Sequence, residues 1–412
     1  MLAAVLSVVL ATEWPVSTEE ACPARAAGAA WTKGGSDDIV DWVVASGGFF
    51  SSSITIREGK LGRGVFATEP IKSGAAIIGV PVELIVGRKT KHPCVAVEAL
   101  RKELALGECS LSWPYLKSMS EVVTDMPNMW SSEDLALLDG LPGDWWVHTE
   151  RYRECPEKWN AAPISDPYSM RALMLFASRS GPLGMQPIFD ILNHGYNSTK
   201  HYEKEGKHIF YTARDHEAGE EIFNTFHSGA GAGRDILLQM AKHGASPGAA
   251  PDMFRDYGFI EPAPVLWKIG GGDGDDSLSF VIEDGADAEN SVLPLALKDE
   301  WGRFVSGEKL SDAARSELAR LAAAARDEIA KLDARSRTYR AGGLQCAAAL
   351  LDPAPQAASV DAHGNAAETE PMRALCGPRT PRQELALSYR STYLAALNAA
   401  ATAAQRLLDR DA

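Results

Sequence analysis

The hydrophobic pattern changes period twice along this chain, from β-like to helical and back, and that interruption narrows the folds open to it. Residues 39–48, IVDWVVASGG, predict an amphipathic helix stopped by Gly47 and Gly48. SITIRE (53–58) and GRGVFA (62–67) then read as two strands joined through glycine, and AAIIGVPV (75–82) continues the β pattern. From about 88 to about 184 apolar residues recur at three-to-four spacing in HPCVAVEALRKELAL, SLSWPYLKSM and SSEDLALLDGL. Asp166-Pro167 supplies an N-cap and first-turn pair for a helix ending near Arg179. Strands return as KHIFYTA (207–213) and EEIFNTF (220–226), so a helical block stands inserted within a β domain.

Further on, PVLWKIG and LSFVIED flank the acidic GGGDGDD and predict a long hairpin. Residues 310–334 and 382–410 carry Ala-, Leu- and Arg-rich helical patterns that predict packed helices, separated by a Pro-rich loop. The 412 residues, 45% hydrophobic and 23% charged, suit a folded protein of two or three domains. The boundaries fall at a tail over 1–37, a β-rich domain over 38–262 with its insert, and a hairpin-plus-helical region over 263–412. Residues 2–11 form an apolar run too short to cross a bilayer and without a preceding basic residue, a weak candidate signal or targeting segment. A cytoplasmic or nuclear monomer is the expectation.

Lys plus Arg number 41 against 55 Asp plus Glu, a net charge of −14. Such a chain repels phosphate backbones and attracts basic proteins, so a protein partner is expected rather than nucleic acid or membrane. The six cysteines form no CxxC pair and read as reduced thiols. No GxSxG, HExxH or P-loop string appears, which leaves acyl transfer, metalloproteolysis and phosphoryl transfer without a motif. GAGAGR (229–234) lacks the GxGxxG spacing and is followed by no second strand, so it reads as an insertion. GGGDGDD does not fill the positions of a calcium loop.

The chemistry-bearing cluster is PIFDILNHG, where Asp190, Asn193 and His194 follow an apolar stretch. Buried polar groups need partners, and three readings are open. The three could bind a metal with His201 and His208, close a turn by bonding backbone groups, or present the turn's backbone to a ligand.

Taken in order, DWVVASGG, GRGVFATEPIKSGAAIIGVP, SWPYLKSM, MWSSEDLALLDG, ASRS with PIFDILNH, AGEEIFNTF and DYGFIEP resemble the SET-domain protein-lysine methyltransferase family. The likeness is to the branch of the Rubisco large-subunit and ribosomal-protein lysine methyltransferases, and it spans 38–262. ELALSYRSTYLAAL is similar to part of that branch's helical substrate-binding domain.

The resemblance implies an α+β fold: a SET core of several short sheets whose C-terminal segment threads beneath a preceding loop. It implies a non-histone protein substrate, S-adenosylmethionine as cofactor and no metal. By the same resemblance Leu61, Gly62 and Arg63 line the cofactor through their backbone, and Arg179 reaches its carboxylate. Asp190, Asn193 and His194 form the adenosine-binding turn, while Tyr257 and Phe259 stand beside the cofactor and the lysine channel. The family places a tyrosine hydroxyl where this sequence has Phe226, followed by His227. Tyr257 is the hydroxyl available to replace it, and the alternative implied is a catalytically impaired SET-fold interaction module.

Overall fold

The computed structural model describes residues 37–88, 92–119, 126–143, 145, 147–181, 183–195, 198–226, 250–260, 265–269, 278–282, 292–297, 300–341 and 380–410. The N-terminal tail, GAGAGR, GGGDGDD, His227 and most of the Pro-rich loop lie outside the described residues. Contacts divide the chain into two units, Met1–Thr124 with Trp145–Ile236, and Asp125–Asp144 with Leu237–Ala412.

In the first unit α1 (Asp37–Ala45) buries Ile39, Trp42 and Val43 on one face, as its three-to-four spacing dictates. It ends at Gly47, whose φ of +88° suits glycine. β2 (Ile54–Gly59) and β3 (Gly62–Ala67) form the expected hairpin, in register from Ile54↔Ala67 to Gly59↔Gly62, and β9 (Glu221–Ile222) pairs with the far side of β3. A second antiparallel sheet runs β1 (Phe49–Phe50), β4 (Ala76–Pro81), β8 (Lys207–Thr212), β7 (Thr199–Lys204). The β7–β8 turn places both Glu205 and Gly206 at positive φ, the geometry of a tight two-residue hairpin. β5 (Ser180–Gly181) and β6 (Gly184–Met185) form a short ribbon.

Between the strands lie α2 (Pro93–Leu106), α3 (Trp113–Ser118), α5 (Val147–Tyr152), α6 (Cys155–Trp159) and α7 (Ser169–Arg179). Three expectations are corrected here. Cys94 and Cys155 form a disulfide that ties the first turn of α2 to the start of α6, and Cys109 is also disulfide-bonded, so these are not reduced thiols. The helix ending at Arg179 begins at Ser169, because Asp166 Oδ1 spends its bond on Tyr168 N (3.0 Å) and closes a turn ahead of it. The strand expected over 220–226 stops at Ile222, since the next residues leave the sheet to bond with 193–195.

The second unit holds α4 (Ser132–Ala136), α8 (Ala250–Tyr257), the antiparallel sheet β10 (Val265–Ile269), β11 (Leu278–Ile282), β12 (Val292–Pro294), α9 (Trp301–Val305) and two 30-residue helices, α10 (Asp312–Ala341) and α11 (Pro381–Arg410). β10 and β11 are the strands expected around the acidic loop. Its core is aromatic: Tyr389 stacks on Phe254 at 4.3 Å, Trp130 meets Phe254 edge-on at 5.8 Å, and Trp267 lies 5.2 Å from Tyr393. Across the helix pair, Arg326 Nη2 donates to Gln405 Oε1 (2.7 Å) and Arg390 Nη2 to Leu332 O (3.1 Å).

Candidate functional site

The 3₁₀ turn Phe189–Ile191 is entered through Ile188, buried and held at a φ of +69°. A β-branched side chain in that region costs on the order of 1–3 kcal/mol and persists only where its surroundings enforce it. The turn is secured downstream by a parallel exchange of backbone bonds. Asn224 N donates to Asn193 O (2.9 Å) and Gly195 N donates to Asn224 O (3.0 Å), joining His194 and Asn224 in a bridge. Segment 221–226 thus runs from β3 to the 193–195 turn, as expected of a C-terminal segment tucked against an earlier loop.

Side chains complete the lacing. Asn193 Nδ2 donates to Glu221 Oε1 (2.7 Å) and to Arg63 O (3.3 Å). Gly64 is the residue that permits this, because a Cβ there would lie 2.3 Å from Glu221 Oε1 and 3.0 Å from Asn193 Nδ2. Arg63 Nη2 donates to Ser118 O (2.7 Å) at the end of α3. His194 Nδ1 accepts from Phe226 N (3.1 Å), which assigns the ring proton to Nε2, and the two rings stand 5.3 Å apart.

Asp190 is the electrostatic centre. Its side chain is 3% exposed, and its Oδ2 accepts from Arg179 Nη1 at 2.9 Å. Burial pushes its carboxyl up, and Arg179 and then Arg63 oppose that shift. The fully buried phenol of Tyr115 is pushed far up by burial and then by the Asp190 charge. Neither Tyr115 Oη nor Asp190 Oδ1 makes a well-aligned hydrogen bond, but the phenol lies close enough to the carboxylate to interact with it as a donor.

The sequence-predicted residues therefore separate into groups. Arg63, Arg179, Asp190, Asn193, His194 and Phe226 are connected in the first unit, with Gly62 at φ +90° and exposed Leu61 at the tip of their hairpin. Tyr257 and Phe259 belong to the second unit, at and just beyond the end of α8, with rings 6.1 Å apart. Burial and Asp256 push the Tyr257 phenol up. The turn reading is corrected in part, since Asp190 and Asn193 bond chiefly to side chains of other segments. His201 and His208 hydrogen-bond to one another (2.9 Å). Tyr115 and Glu221 were missed: one reads as a helix-core aromatic, the other as the solvent face of a strand.

Residues 62–227 match the SET domain family. The chain contains a SET domain. The matched stretch holds the hairpin, the helical insert, the 189–195 turn and the segment laced against it, and stops short of Tyr257 and Phe259. No curated protein matches the chain. Among solved structures, it is similar to Rubisco LSMT bound to AdoMet, at 15% identity over 91% of this chain and 92% of that one, with a TM-score of 0.48. It is also similar to Rubisco LSMT bound to sinefungin and monomethyllysine, at 17% identity over 90% and 92%, TM-score 0.48. The SET domain of LSMT bound to lysine and AdoHcy gives 15% identity over 90% of each chain, TM-score 0.46.

Proposed function

We propose that this chain is an S-adenosylmethionine-dependent protein-lysine N-methyltransferase acting on a non-histone protein. The observation that carries the reading is the laced polar site of the SET domain, in which Asn193 bonds to Arg63 O, Asp190 pairs with Arg179 and feels the Arg63 charge, and His194 accepts from Phe226 N. These residues suit the cofactor. Gly62, with open space where a Cβ would stand, lets backbone approach a ligand closely, and Arg179 offers a guanidinium to a carboxylate.

In this reading Leu61, Gly62 and Arg63 run along the cofactor, Arg179 takes its carboxylate, and Asp190, Asn193 and His194 hold the adenosine. The cofactor supplies a sulfonium methyl group to in-line attack by a neutral amine. The chain's part is positioning and desolvation. A lysine with a pKa of about 10.4 in water loses its proton more readily in an apolar channel. The net charge of −14 favours a basic protein as substrate.

Phe226 favours a second reading, a SET-fold interaction module that transfers no methyl group. It stands where the family places its hydroxyl, and loss of one transition-state donor costs about 10² to 10³ in rate. Calorimetric titration of the full chain with S-adenosylmethionine and S-adenosylhomocysteine comes first. Micromolar binding, labelled methyl transfer to a basic protein, and a gain of about 10² or more on Phe226→Tyr are expected. Binding without transfer by either form leaves the interaction module, and no binding by a folded protein ends the enzyme reading.

A further inference from the structure

The β7–β8 hairpin keeps an unbroken register from Thr199↔Thr212 to Lys204↔Lys207, so its side chains divide between two faces. One face, with His208, Phe210 and Thr212, is buried. The other carries Lys200, Tyr202, Lys204, Lys207, Ile209 and Tyr211. On that face an apolar row crosses the whole sheet, with Phe49 opposite Gly79, Gly79 opposite Ile209 and Ile209 opposite Tyr202. The Phe49 ring lies over Gly79, where a Cβ would stand 2.2 Å from it. Tyr202 is 53% exposed and stacks on Tyr211 at 4.7 Å. An aromatic surface rimmed by charge has the form of a binding patch.

The charges on this face have one sign. β7 is the outer strand of its sheet, and outer strands are commonly guarded by charged side chains. Guarding explains charge but not its sign, since a carboxylate serves as well. Yet all three charged residues at these positions are lysines, in a chain where Asp and Glu outnumber Lys and Arg by 55 to 41. Lys204 and Lys207 stand directly opposite one another, a pairing that repels. Lys204 reaches Glu205 only at 3.6 Å, with side chains 58% and 79% exposed, and such a pair contributes little. Glutamate at position 207 would guard the edge and turn the repulsion into attraction.

We propose that this face docks a short acidic segment of a partner protein, with carboxylates on Lys200, Lys204 and Lys207 and apolar side chains on Tyr202 and the row beside it. Charge complementarity selects the occupant. At physiological salt a charge acts over about 8 Å, so a short acidic stretch meets the three lysines rather than the net charge of −14. A nucleic-acid strand would run on over the acidic remainder of the surface. Neither the surface nor its occupant involves the cofactor, and the docking holds whether or not the chain transfers a methyl group.

The test is fluorescence anisotropy of the full-length chain with an array of labelled peptides that intersperse Asp and Glu with Leu, Phe and Tyr. The same array with Lys in place of the acids, and single-stranded oligodeoxythymidine, are the comparison probes. Members of the acidic array are expected to bind, more weakly as salt rises, and the basic array is not. Replacing all three lysines by Gln should weaken the best acidic peptide about tenfold, and Tyr202→Ala about tenfold as well. Lys207→Glu separates docking from edge guarding: it should raise the urea midpoint of the free chain and still weaken the peptide. Binding by no acidic peptide, equal binding of both arrays, affinity unchanged in the lysine variants, or a lower midpoint for Lys207→Glu would each overturn the proposal. Tighter binding of the oligonucleotide would overturn it in favour of a nucleic-acid surface.

Discussion

Tyr115 and Tyr389 are both fully buried tyrosines, and the two units treat them in opposite ways. Tyr389 Oη donates to Pro142 O (3.0 Å), and its ring stacks on Phe254 beside Trp267. Every part of that side chain is provided for by the protein itself. Tyr115 is buried as fully, and its hydroxyl has only a loose contact with the Asp190 carboxylate. The second unit gives its phenol a neutral carbonyl, whereas the first sets its phenol beside a buried charge.

The largest test of that contrast is Asp190→Ala. Removing the carboxylate leaves the Arg179 guanidinium, 14% exposed, with an uncompensated charge. Breaking one side of a buried pair costs about 3–5 kcal/mol, far more than the pair's net contribution. Urea unfolding should show that loss, and calorimetry should show no binding of S-adenosylmethionine. A loss below about 1 kcal/mol, the range of exposed ion pairs, would mean that Asp190 is no electrostatic centre.

Acid should act on a second buried polar cluster. His208 is fully buried against Gln186 and His201, and burial followed by the His201 charge lowers its pKa from 6.5 to about 4. Burial also lowers His201, and His216 likewise. Between pH 6.5 and about 4 the unfolded chain binds protons that the folded chain refuses, so stability falls as pH falls. From His208 alone the loss approaches about 3 kcal/mol at the bottom of that window. Urea midpoints measured across the window on wild type and His208→Gln check it, and the variant's slope should be shallower. Equal slopes would mean that His208 is not the group refusing the proton.

What the sequence conveyed followed from how local each signal is. The α1 helix, the β2–β3 hairpin and the β10–β11 pair were legible because their periods and glycines act within a few residues. The disulfide was not, since 61 residues separate Cys94 from Cys155 and only the packing of α2 and α6 brings them together. Strand β9 was overestimated because the alternation of EEIFNTF carries no mark of the point where pairing passes from β3 to the 193–195 turn. Asp190, Asn193 and His194 stood out as polar residues after an apolar run. Glu221 and Tyr115 did not, because a carboxylate on the outer face of a strand and an aromatic at helical spacing are ordinary there. Their roles come from Gly64 and Asp190, which are distant in sequence.

The smallest effects come from the two phenols. Tyr389→Phe keeps the stack on Phe254 and leaves Pro142 O without its donor, so it should destabilise the chain by about 1 kcal/mol. Tyr115→Phe removes a hydroxyl whose contact with the Asp190 carboxylate is poorly aligned, and should lower the urea midpoint by less. The two substitutions delete the same atom from equally buried rings, so size, hydrophobicity and helix propensity largely cancel between them. An equal loss in both would show that the Asp190 carboxylate is as full a partner for Tyr115 as Pro142 O is for Tyr389.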